Sequence, residues 1–274
     1  MNSIQIPSNL QKSYIVCSTG RSGSTLLCRT LDELDCCGHP EEDFHHYTIA
    51  GLQLKSNLEN FIDYCNSVLE KGLSSNGIFG IKMHWWQMFD FLKIARQIPD
   101  FKDKQDLEIL NAIFPNLKFI YIWRKDMVRQ AISTVIALET NQWVKPNQSE
   151  LEQERENEED LKQESTTTSP KFKPVKIYNW EKKFKDQNRR WREFFRDNHL
   201  DYYEVVYEDF LKSFEQEIGN ILDYLDIDKT LIKDKIEMPT KRQSNDLNKQ
   251  WLQRYQLIPK LALRVVHKIQ SNLN

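Results

Sequence analysis

The residues best suited to chemistry lie near the start of the chain, in segment 19–25. This segment contains two glycines, four hydroxyl side chains and Arg21. A strand-forming run ends at Ser18, and apolar residues at helical spacing follow the segment. A turn between a strand and a helix presents backbone N–H groups and the positive end of the helix dipole to an anion. The pattern therefore predicts a phosphate or sulfate site, with an ordinary glycine turn as the alternative.

Two common motifs are excluded for segment 19–25. The P-loop of nucleoside triphosphatases requires a lysine before its last Ser or Thr, and this segment contains none. The nucleophile elbow of hydrolases requires G-x-S-x-G, which no register of these residues provides. An anion bound here would therefore be held by another arrangement.

A second strand-to-helix unit begins at residue 117. The strongest strand pattern of the chain covers 117–123 and is followed by Arg124, by helical spacing over 126–138, and by Ser133 within that helix. A cation at a strand end and a hydroxyl on the next helix can clamp a second phosphate. Taken alone, Arg124 and Ser133 are more typical of ordinary surface residues.

The elements that must position these residues alternate along the chain. Such alternation predicts an α/β fold with a parallel sheet covered on both faces. After setting aside one insertion, the length suits a single domain over 1–274. The predicted strands are 14–18, 77–83, 117–123 and 201–206, and the predicted helices are 25–31, 57–69, 89–97, 126–138, 178–197 and 214–225.

The insertion is segment 147–169, where the composition changes sharply. It carries eight acidic residues against Arg155 and Lys162 and contains no aromatic residue. Such composition is typical of a solvated or disordered segment. Its net charge of −6 leaves +4 for the rest of a chain whose total is −2. This modest excess favours a pocket for one small polyanion over a nucleic-acid groove.

The composition also indicates the cellular compartment in which the protein is expected. No apolar run approaches the roughly 18 to 20 residues that span a bilayer, and the beginning of the chain does not resemble a secretory leader. The five cysteines are odd in number, form no C-x-x-C and include the vicinal pair Cys36 and Cys37. Such a set suits a reducing compartment, so we expect a cytoplasmic protein without a membrane span.

Several motifs together carry a family resemblance. R-S-G-S-T-L-L follows the first strand, G-x-P-x-E-x-F begins at Gly38, and R-x-D-x-x-x-Q-A-x-S begins at Arg124. Gln142-Trp143, the segment 207–210 and Arg242-Gln243 with Trp251 and Arg254 follow in order. This order and spacing resemble the bacterial sulfotransferase family typified by trehalose 2-sulfotransferase, over roughly residues 14–255 without the acidic insertion.

The resemblance implies a P-loop-like three-layer α/β/α fold and a donor substrate. That donor is 3′-phosphoadenosine 5′-phosphosulfate (PAPS), which carries negative charge at both ends. No metal is expected, because the sulfuryl group carries less charge than a phosphoryl group. By resemblance, the 5′-phosphosulfate is cradled by Arg21, Ser22, Gly23, Ser24 and Thr25, the 3′-phosphate by Arg124 and Ser133, the adenine by Tyr207, and the phosphates are covered by Arg242. A core tyrosine is an equally good interpretation of Tyr207.

The resemblance also points to a general base. The second glutamate of the family's G-E-P-x-E-F segment corresponds to Glu42, which can act if its pKa is raised or if proton transfer is concerted with sulfuryl transfer. His39 replaces the family's first glutamate, and a histidine is itself a candidate base. Lys82 matches a family lysine that follows the second strand and would orient donor or acceptor. Glu42 and His39 both stay open here, with Glu42 favoured.

Two other function classes remain open from the sequence. The segment 36–46 is dense in Cys, His and Glu, which suggests a metal-dependent hydrolase, although its spacing matches no familiar ligand pattern. A non-catalytic nucleotide-binding module is the second alternative. For the sulfotransferase, the acceptor would be a small molecule with a hydroxyl group, and Phe44, Trp85 and Trp86 would suit stacking on a sugar. Trehalose is the family's precedent, and the resemblance also suggests a homodimer.

Overall fold

Four parallel strands form the central sheet in the computed structural model, which describes residues 3–143, 170–232, 238 and 246–271. The strands lie in the order β2-β1-β3-β4. The predicted α/β fold with a parallel sheet is therefore confirmed, and each predicted strand exists within a few residues of its expected position. Their bounds are β1 (Lys12–Ser18), β2 (Ile78–His84), β3 (Leu117–Trp123) and β4 (Tyr203–Val206).

Helices connect and flank these strands. In the described residues they are α1 (Ser24–Asp32), α2 (His46–Gly51), α3 (Leu58–Lys71), α4 (Trp85–Ala95), α5 (Asp106–Ile113), α6 (Met127–Thr140), α7 (Pro174–Asp197), α8 (Tyr207–Phe210), α9 (Phe214–Tyr224), α10 (Asp246–Gln256) and α11 (Lys260–Ser271). Short 3₁₀ turns occupy Pro99–Phe101 and Lys229–Leu231.

One predicted helix begins earlier than its sequence pattern indicates. The pattern places its start at residue 89, whereas α4 follows β2 directly and begins at Trp85. The side chain of Gln87 accepts a hydrogen bond from the backbone N–H of His84 at 2.6 Å, which satisfies a donor at the helix start. The chain therefore passes from β2 into α4 without a connecting loop.

The sheet is buried on both faces, because alternate residues of each strand enter different cores. One face, with Ile15, Ile81 and Tyr121, packs against α3, α4, α5 and the aromatic end of α7 around Trp191. The other face packs against α1 and α9 and includes Tyr14, Val16, Ile78, Ile120, Ile122 and Val205. Two covered faces make a three-layer α/β/α arrangement.

Contacts divide the chain into two compact units. Unit 1 comprises Met1–Lys125 and Asp186–Pro239 and contains the sheet, and unit 2 comprises Asp126–Lys185 and Thr240–Asn274. Unit 2 has its own apolar cluster, in which α10 packs on α6 and Trp251 and Tyr255 are buried. The single domain over 1–274 stays a prediction, and the acidic segment 147–169 lies outside the described residues.

Candidate functional site

The ends of β1 and β3 define the place in unit 1 where a ligand is expected. From β1 the chain continues to β2 on one side, and from the neighbouring β3 it continues to β4 on the other, so the connections leave these two strands in opposite directions. In open parallel sheets, ligands bind beyond the carboxyl ends of the strands at such a point. Arg21 follows β1 and Arg124 follows β3, so both predicted anion-binding arginines lie at this edge.

The turn after β1 has the backbone geometry of an anion site. Arg21 and Gly23 both have positive φ, 61° and 98° respectively. Gly23 caps α1, and its carbonyl accepts from the N–H of Leu27 at 3.2 Å, while no side chain caps the helix start. The first N–H groups of an α-helix have no partner inside the helix. They are therefore placed to bind an anion.

A buried hydroxyl in this turn supports the same interpretation. Ser22 is fully buried, and its Oγ has no hydrogen-bond partner among the residues that the structure describes. Buried polar atoms in folded proteins normally have a partner. The hydroxyl fits a ligand oxygen, which agrees with the sequence-based assignment of Ser22. Ser24 is also buried, at the first position of α1.

Tyr207 packs directly on the turn. A Cβ atom added at Gly23 would lie 2.2 Å from Cδ2 of Tyr207, so the ring occupies the space that a side chain would need. The guanidinium carbon of Arg124 lies 4.9 Å from the centre of the same ring, and its Nε lies 3.5 Å from Oε1 of Glu208. Tyr207 therefore joins the two predicted phosphate-binding elements of unit 1.

The two arginines repel each other electrostatically. Burial lowers the pKa of Arg21, the charge of Arg124 lowers it further, and Tyr207 opposes the shift. Two guanidinium groups held within reach of each other at the end of a sheet form a strongly positive region. An anion bound between these strand ends would relieve that repulsion.

Glu42 is held beside β2 by the backbone. Glu41 forms an isolated parallel bridge with Ile81, and its carbonyl accepts from the N–H of Lys82 at 2.9 Å. This brings Glu42 to Lys82, whose Nζ lies 2.8 Å from Oε2 of the carboxylate. The structure therefore joins two sequence-predicted catalytic residues in one ion pair.

Two residues that the sequence analysis missed complete the surroundings of Glu42. Nε2 of Gln87 donates to Oε1 at 2.7 Å, and Nε2 of His84 lies 3.6 Å from Oε2. Nδ1 of His84 lies 2.9 Å from Oγ of Ser18, the last residue of β1. The available signal was the period of two along β2, which places Lys82 and His84 on one face.

The ionisation of this group is set by competing effects. Burial by itself would raise the pKa of Glu42, but the charges of His84 and Lys82 and the hydrogen bonds from Lys82 and Gln87 outweigh it, and the pKa is about 2. Burial lowers the pKa of His84 to about 4, although Glu42 opposes that shift. At neutral pH, Glu42 is therefore a carboxylate and His84 is uncharged.

The ion pair lies within electrostatic reach of α1, the helix that begins at the predicted anion-binding turn. Burial raises the pKa of Cys28 to about 12, with Lys82 lowering and Glu42 raising it, so both charges are within electrostatic reach of this thiol. Cys28 is one helical turn after Ser24. His84 contacts both Glu42 and Ser18, the residue before the turn, so the ion pair and the turn are neighbours at the ends of β1 and β2.

The remaining predicted site residues lie away from the strand ends or outside the described residues. Nδ1 of His39 lies 2.7 Å from Oδ1 of Asp32, at the opposite end of α1 from the turn. Ser133 is half-buried on α6, in unit 2. Thr25 is exposed in the first turn of α1, and Arg242 lies outside the described residues. The site of unit 1 therefore brings together Arg21, Ser22, Gly23, Ser24, Arg124 and Tyr207 at the strand ends, and Glu42 with Lys82 beside α1.

Aromatic side chains form a surface next to Glu42. The ring of Trp86 lies 5.8 Å from the rings of both His45 and His46, and Tyr47 stacks loosely on His46 at 3.9 Å. The pKa of His45 is lowered by burial and raised by Glu42, which places this surface within reach of the carboxylate. Of the other expected stacking residues, Phe44 is buried against Phe91 and Trp85 packs edge-on to Trp191.

The segment 36–46 does not form a metal-ligand cluster. Among the described residues, no group of three or more His, Cys, Asp or Glu side chains is arranged to hold a metal ion. Cys36 and Cys37 are buried free thiols, and His45 and His46 contact aromatic rings. Over the same described part of the chain, every helix is too short or too polar to cross a membrane.

Comparisons with known proteins agree with the resemblance. A family model described as Stf0 sulphotransferase matches residues 13–257. The trehalose 2-sulfotransferase of Mycobacterium tuberculosis is 25% identical over 278 residues, which cover 92% of this chain and 97% of the relative. That of Mycolicibacterium smegmatis is 22% identical, covering 89% and 94%. A solved sulfotransferase from Alicyclobacillus acidocaldarius, 14% identical, covers 94% of this chain and 96% of its own, with a TM-score of 0.47.

Proposed function

Since the chain belongs to the Stf0 sulphotransferase family, we propose that it transfers the sulfuryl group of PAPS to a hydroxyl of a carbohydrate acceptor such as trehalose. In this reaction a bond forms between the acceptor oxygen and sulfur, and the bond from sulfur to the 5′-phosphate oxygen breaks. The acceptor proton passes to a base, and adenosine 3′,5′-bisphosphate leaves. The observation that carries the proposal is the chain of contacts from the paired carboxylate of Glu42 through His84 to Ser18, the residue before the positive turn.

The donor fits the residues at the strand ends. The turn offers backbone N–H groups and the buried hydroxyl of Ser22, and Arg21 and Arg124 supply two positive charges. PAPS, as a substrate with negative charge at both ends, would offset the electrostatic repulsion between these two arginines. Tyr207, which lies on Gly23 and under Arg124, would stack on the adenine. Ser133 and Arg242 remain proposed ligands of the donor phosphates.

Glu42 is the proposed general base. Its pKa of about 2 keeps it ionised at neutral pH, so it can accept a proton without first losing one. A carboxylate of such low pKa is a weak base towards a free alcohol. Proton transfer must therefore occur as the bond from oxygen to sulfur forms, because the hydroxyl becomes strongly acidic only then. This favours the concerted alternative over a raised pKa.

Lys82 and His84 hold the base in place. Lys82 neutralises the carboxylate at 2.8 Å, and its ammonium group would also stabilise charge that develops on the transferred group. His84 links the carboxylate to Ser18 at the end of β1. The pairing of His39 with Asp32, at the far end of α1, supports Glu42 over His39 as the base.

The aromatic surface is the proposed acceptor subsite. Trp86 and Tyr47, next to His45 and His46, offer flat faces within electrostatic reach of Glu42. Aromatic faces stack on the C–H faces of sugar rings, while imidazole groups provide hydrogen bonds to hydroxyls. This arrangement supports a carbohydrate acceptor, in line with the trehalose named for the relatives.

A substitution of the base tests the mechanism. Glu42→Gln keeps the shape and the contact with Gln87 but cannot accept the proton, so we expect turnover of labelled PAPS with an acceptor to fall at least about a thousandfold. Binding of adenosine 3′,5′-bisphosphate should persist. Glu41→Gln is the matched control, because Glu41 is exposed and pairs with Lys71. Near-normal turnover by Glu42→Gln would contradict the assignment.

The acceptor class is tested separately. The purified protein is incubated with labelled PAPS and a panel that contains trehalose, other sugars, aliphatic alcohols and phenols. We expect sulfation of one or more sugars, and Trp86→Ala should raise the acceptor KM while leaving donor affinity unchanged. Sulfation restricted to phenols or aliphatic alcohols would contradict the carbohydrate acceptor but not the sulfuryl transfer.

A further inference from the structure

Helix α11 of unit 2 carries a row of exposed apolar side chains. Leu261, Val265 and Ile269 are spaced four residues apart and are 71%, 52% and 55% exposed, respectively. Residues at this spacing lie on one face of a helix. Leu263, in contrast, is buried in the apolar cluster of unit 2. The helix therefore has one apolar face inside its unit and a second one that is open to solvent.

A row of cations runs beside the apolar row. Lys260, Arg264 and Lys268 have the same spacing of four, and no acidic residue occurs between 257 and 271. Lys260 lies 3.4 Å from Glu181, whereas the other two line a surface pocket. Over residues 260–269, α11 thus combines an exposed apolar strip with a strip of cations, of which Lys260 is paired with Glu181.

The pocket beside α11 concentrates positive charge. It has a volume of about 510 Å³ and is lined by Tyr178, Lys182, Arg264, His267 and Lys268. Nζ of Lys182 lies 3.2 Å from Nε2 of His267, and none of the described lining residues is acidic. Three permanent cations around one cavity favour an anionic group.

Two other occupants fit this face less well. An antiparallel two-fold pair of copies would bring the cationic rows of both copies together, and α11 has no acidic residue to offset that repulsion. The acidic segment 147–169 would match the charge, but its only aliphatic residues are Leu151 and Leu161. It would leave most of the apolar row uncovered.

We propose that α11 lies on the surface of an anionic membrane. The apolar row would enter the boundary between headgroups and acyl chains, and Arg264, Lys268 and Lys182 would contact lipid phosphates. An apolar strip beside a basic strip is the pattern of helices that lie in the membrane interface. The membrane would cover apolar surface that is otherwise exposed to water. This proposal does not depend on the chemistry of unit 1.

Vesicle sedimentation with the full chain tests the proposal. We expect binding to vesicles of phosphatidylglycerol and phosphatidylcholine, and at least about tenfold weaker binding to pure phosphatidylcholine. The variants Leu261→Asp/Val265→Asp and Arg264→Glu/Lys268→Glu should each lose about tenfold or more in binding. Raised salt should weaken binding of the unmodified protein.

Control variants distinguish binding through the exposed face of α11 from general effects of added negative charge. Leu138→Asp changes an exposed apolar residue on α6, and Lys171→Glu/Lys249→Glu reverses two exposed cations elsewhere in unit 2. Both should bind vesicles as the unmodified protein does, and circular dichroism checks that every variant is folded. Equal binding to both kinds of vesicle, or no binding, would overturn the proposal. So would a dimer that Leu261→Asp dissociates, or binding that appears only after removal of 147–169.

Discussion

Glu42 combines two properties that usually oppose each other, because it is largely buried and yet carries a pKa of about 2. Burial alone would favour the neutral acid. His84, Lys82 at 2.8 Å and the amide of Gln87 at 2.7 Å together reverse this preference. The charge of the proposed base therefore depends on a neighbour that is itself a proposed catalytic residue, and removing Lys82 should change the ionisation of Glu42.

The pH profile of Lys82→Met tests this dependence. With Lys82 present, Glu42 stays ionised above pH 2 or so, and kcat/KM should show no acid limb from it between about pH 5 and 8. Without Lys82, burial is opposed only by His84 and Gln87, so the pKa of Glu42 should rise. The active carboxylate is then lost as the pH falls through the raised pKa, so kcat/KM should decrease towards acid pH.

Asp43 provides the necessary control for that profile. Burial raises the pKa of Asp43 to about 6, although Lys71 opposes the shift, so this carboxyl titrates in the same range. Both profiles should therefore be measured in an Asp43→Asn background as well. An acid limb that appears with Lys82→Met and persists without Asp43 belongs to Glu42 or to its neighbour His84, whose pKa Lys82 also lowers. A flat profile of the double variant would contradict the proposed dependence.

At the scale of elements, the unit β1–turn–α1 depends on the absence of a side chain at Gly23. The φ of 98° is unfavourable for other residues, and the ring of Tyr207 fills the place of the missing Cβ. Tyr207 begins α8, directly after β4. A close approach of backbone to ring thus joins the turn after the first strand to the end of the last strand.

Gly23→Ala should disturb both this packing and the anion site. A Cβ at 2.2 Å from Cδ2 of Tyr207 requires movement of the ring or of the turn. We expect a loss of roughly 1–3 kcal/mol in the free energy of unfolding and about tenfold or more in affinity for adenosine 3′,5′-bisphosphate, measured by denaturation and calorimetry.

Gly20→Ala is the matched variant, because nothing lies within 4 Å of a Cβ at that position. It should bind and unfold nearly as the unmodified protein does. Equal effects of the two substitutions would show that the turn tolerates no change of composition at all, and would contradict a specific role of the contact with Tyr207.

The sequence predicts the sheet well, because each strand is a buried apolar run and its following helix has clear periodicity. Short helices such as α2 and α5 escape the same analysis, since six or eight residues contain too few turns for a period of 3.6 to be recognised. The residues of the anion turn are also predictable, because they follow one another in the chain. His84 and Gln87 are not, since their approach to Glu42 depends on a bridge between Glu41 and Ile81.

For the whole molecule, the charge distribution agrees with a small anionic ligand. Residues outside 147–169 carry a net +4. Within unit 1, two arginines meet at the ends of neighbouring strands and disfavour each other's charged form. A ligand that neutralises them should stabilise the folded state, because it binds that state and not the unfolded chain.

Thermal unfolding with two nucleotides tests this consequence and distinguishes the sulfotransferase from a nucleoside triphosphate-binding module. Adenosine 3′,5′-bisphosphate at about a hundred times its Kd should stabilise the protein by about 2.7 kcal/mol, which raises Tm by roughly 5 °C or more. ATP with Mg²⁺ should give a smaller shift, because the turn 19–25 has no P-loop lysine and ATP lacks the 3′-phosphate. At the same concentration of bisphosphate, Gly23→Ala should lose about half of the shift or more, because a tenfold weaker affinity leaves about 1.4 kcal/mol of stabilisation. A larger shift with ATP and Mg²⁺ would favour the nucleotide-binding module and count against PAPS as the donor.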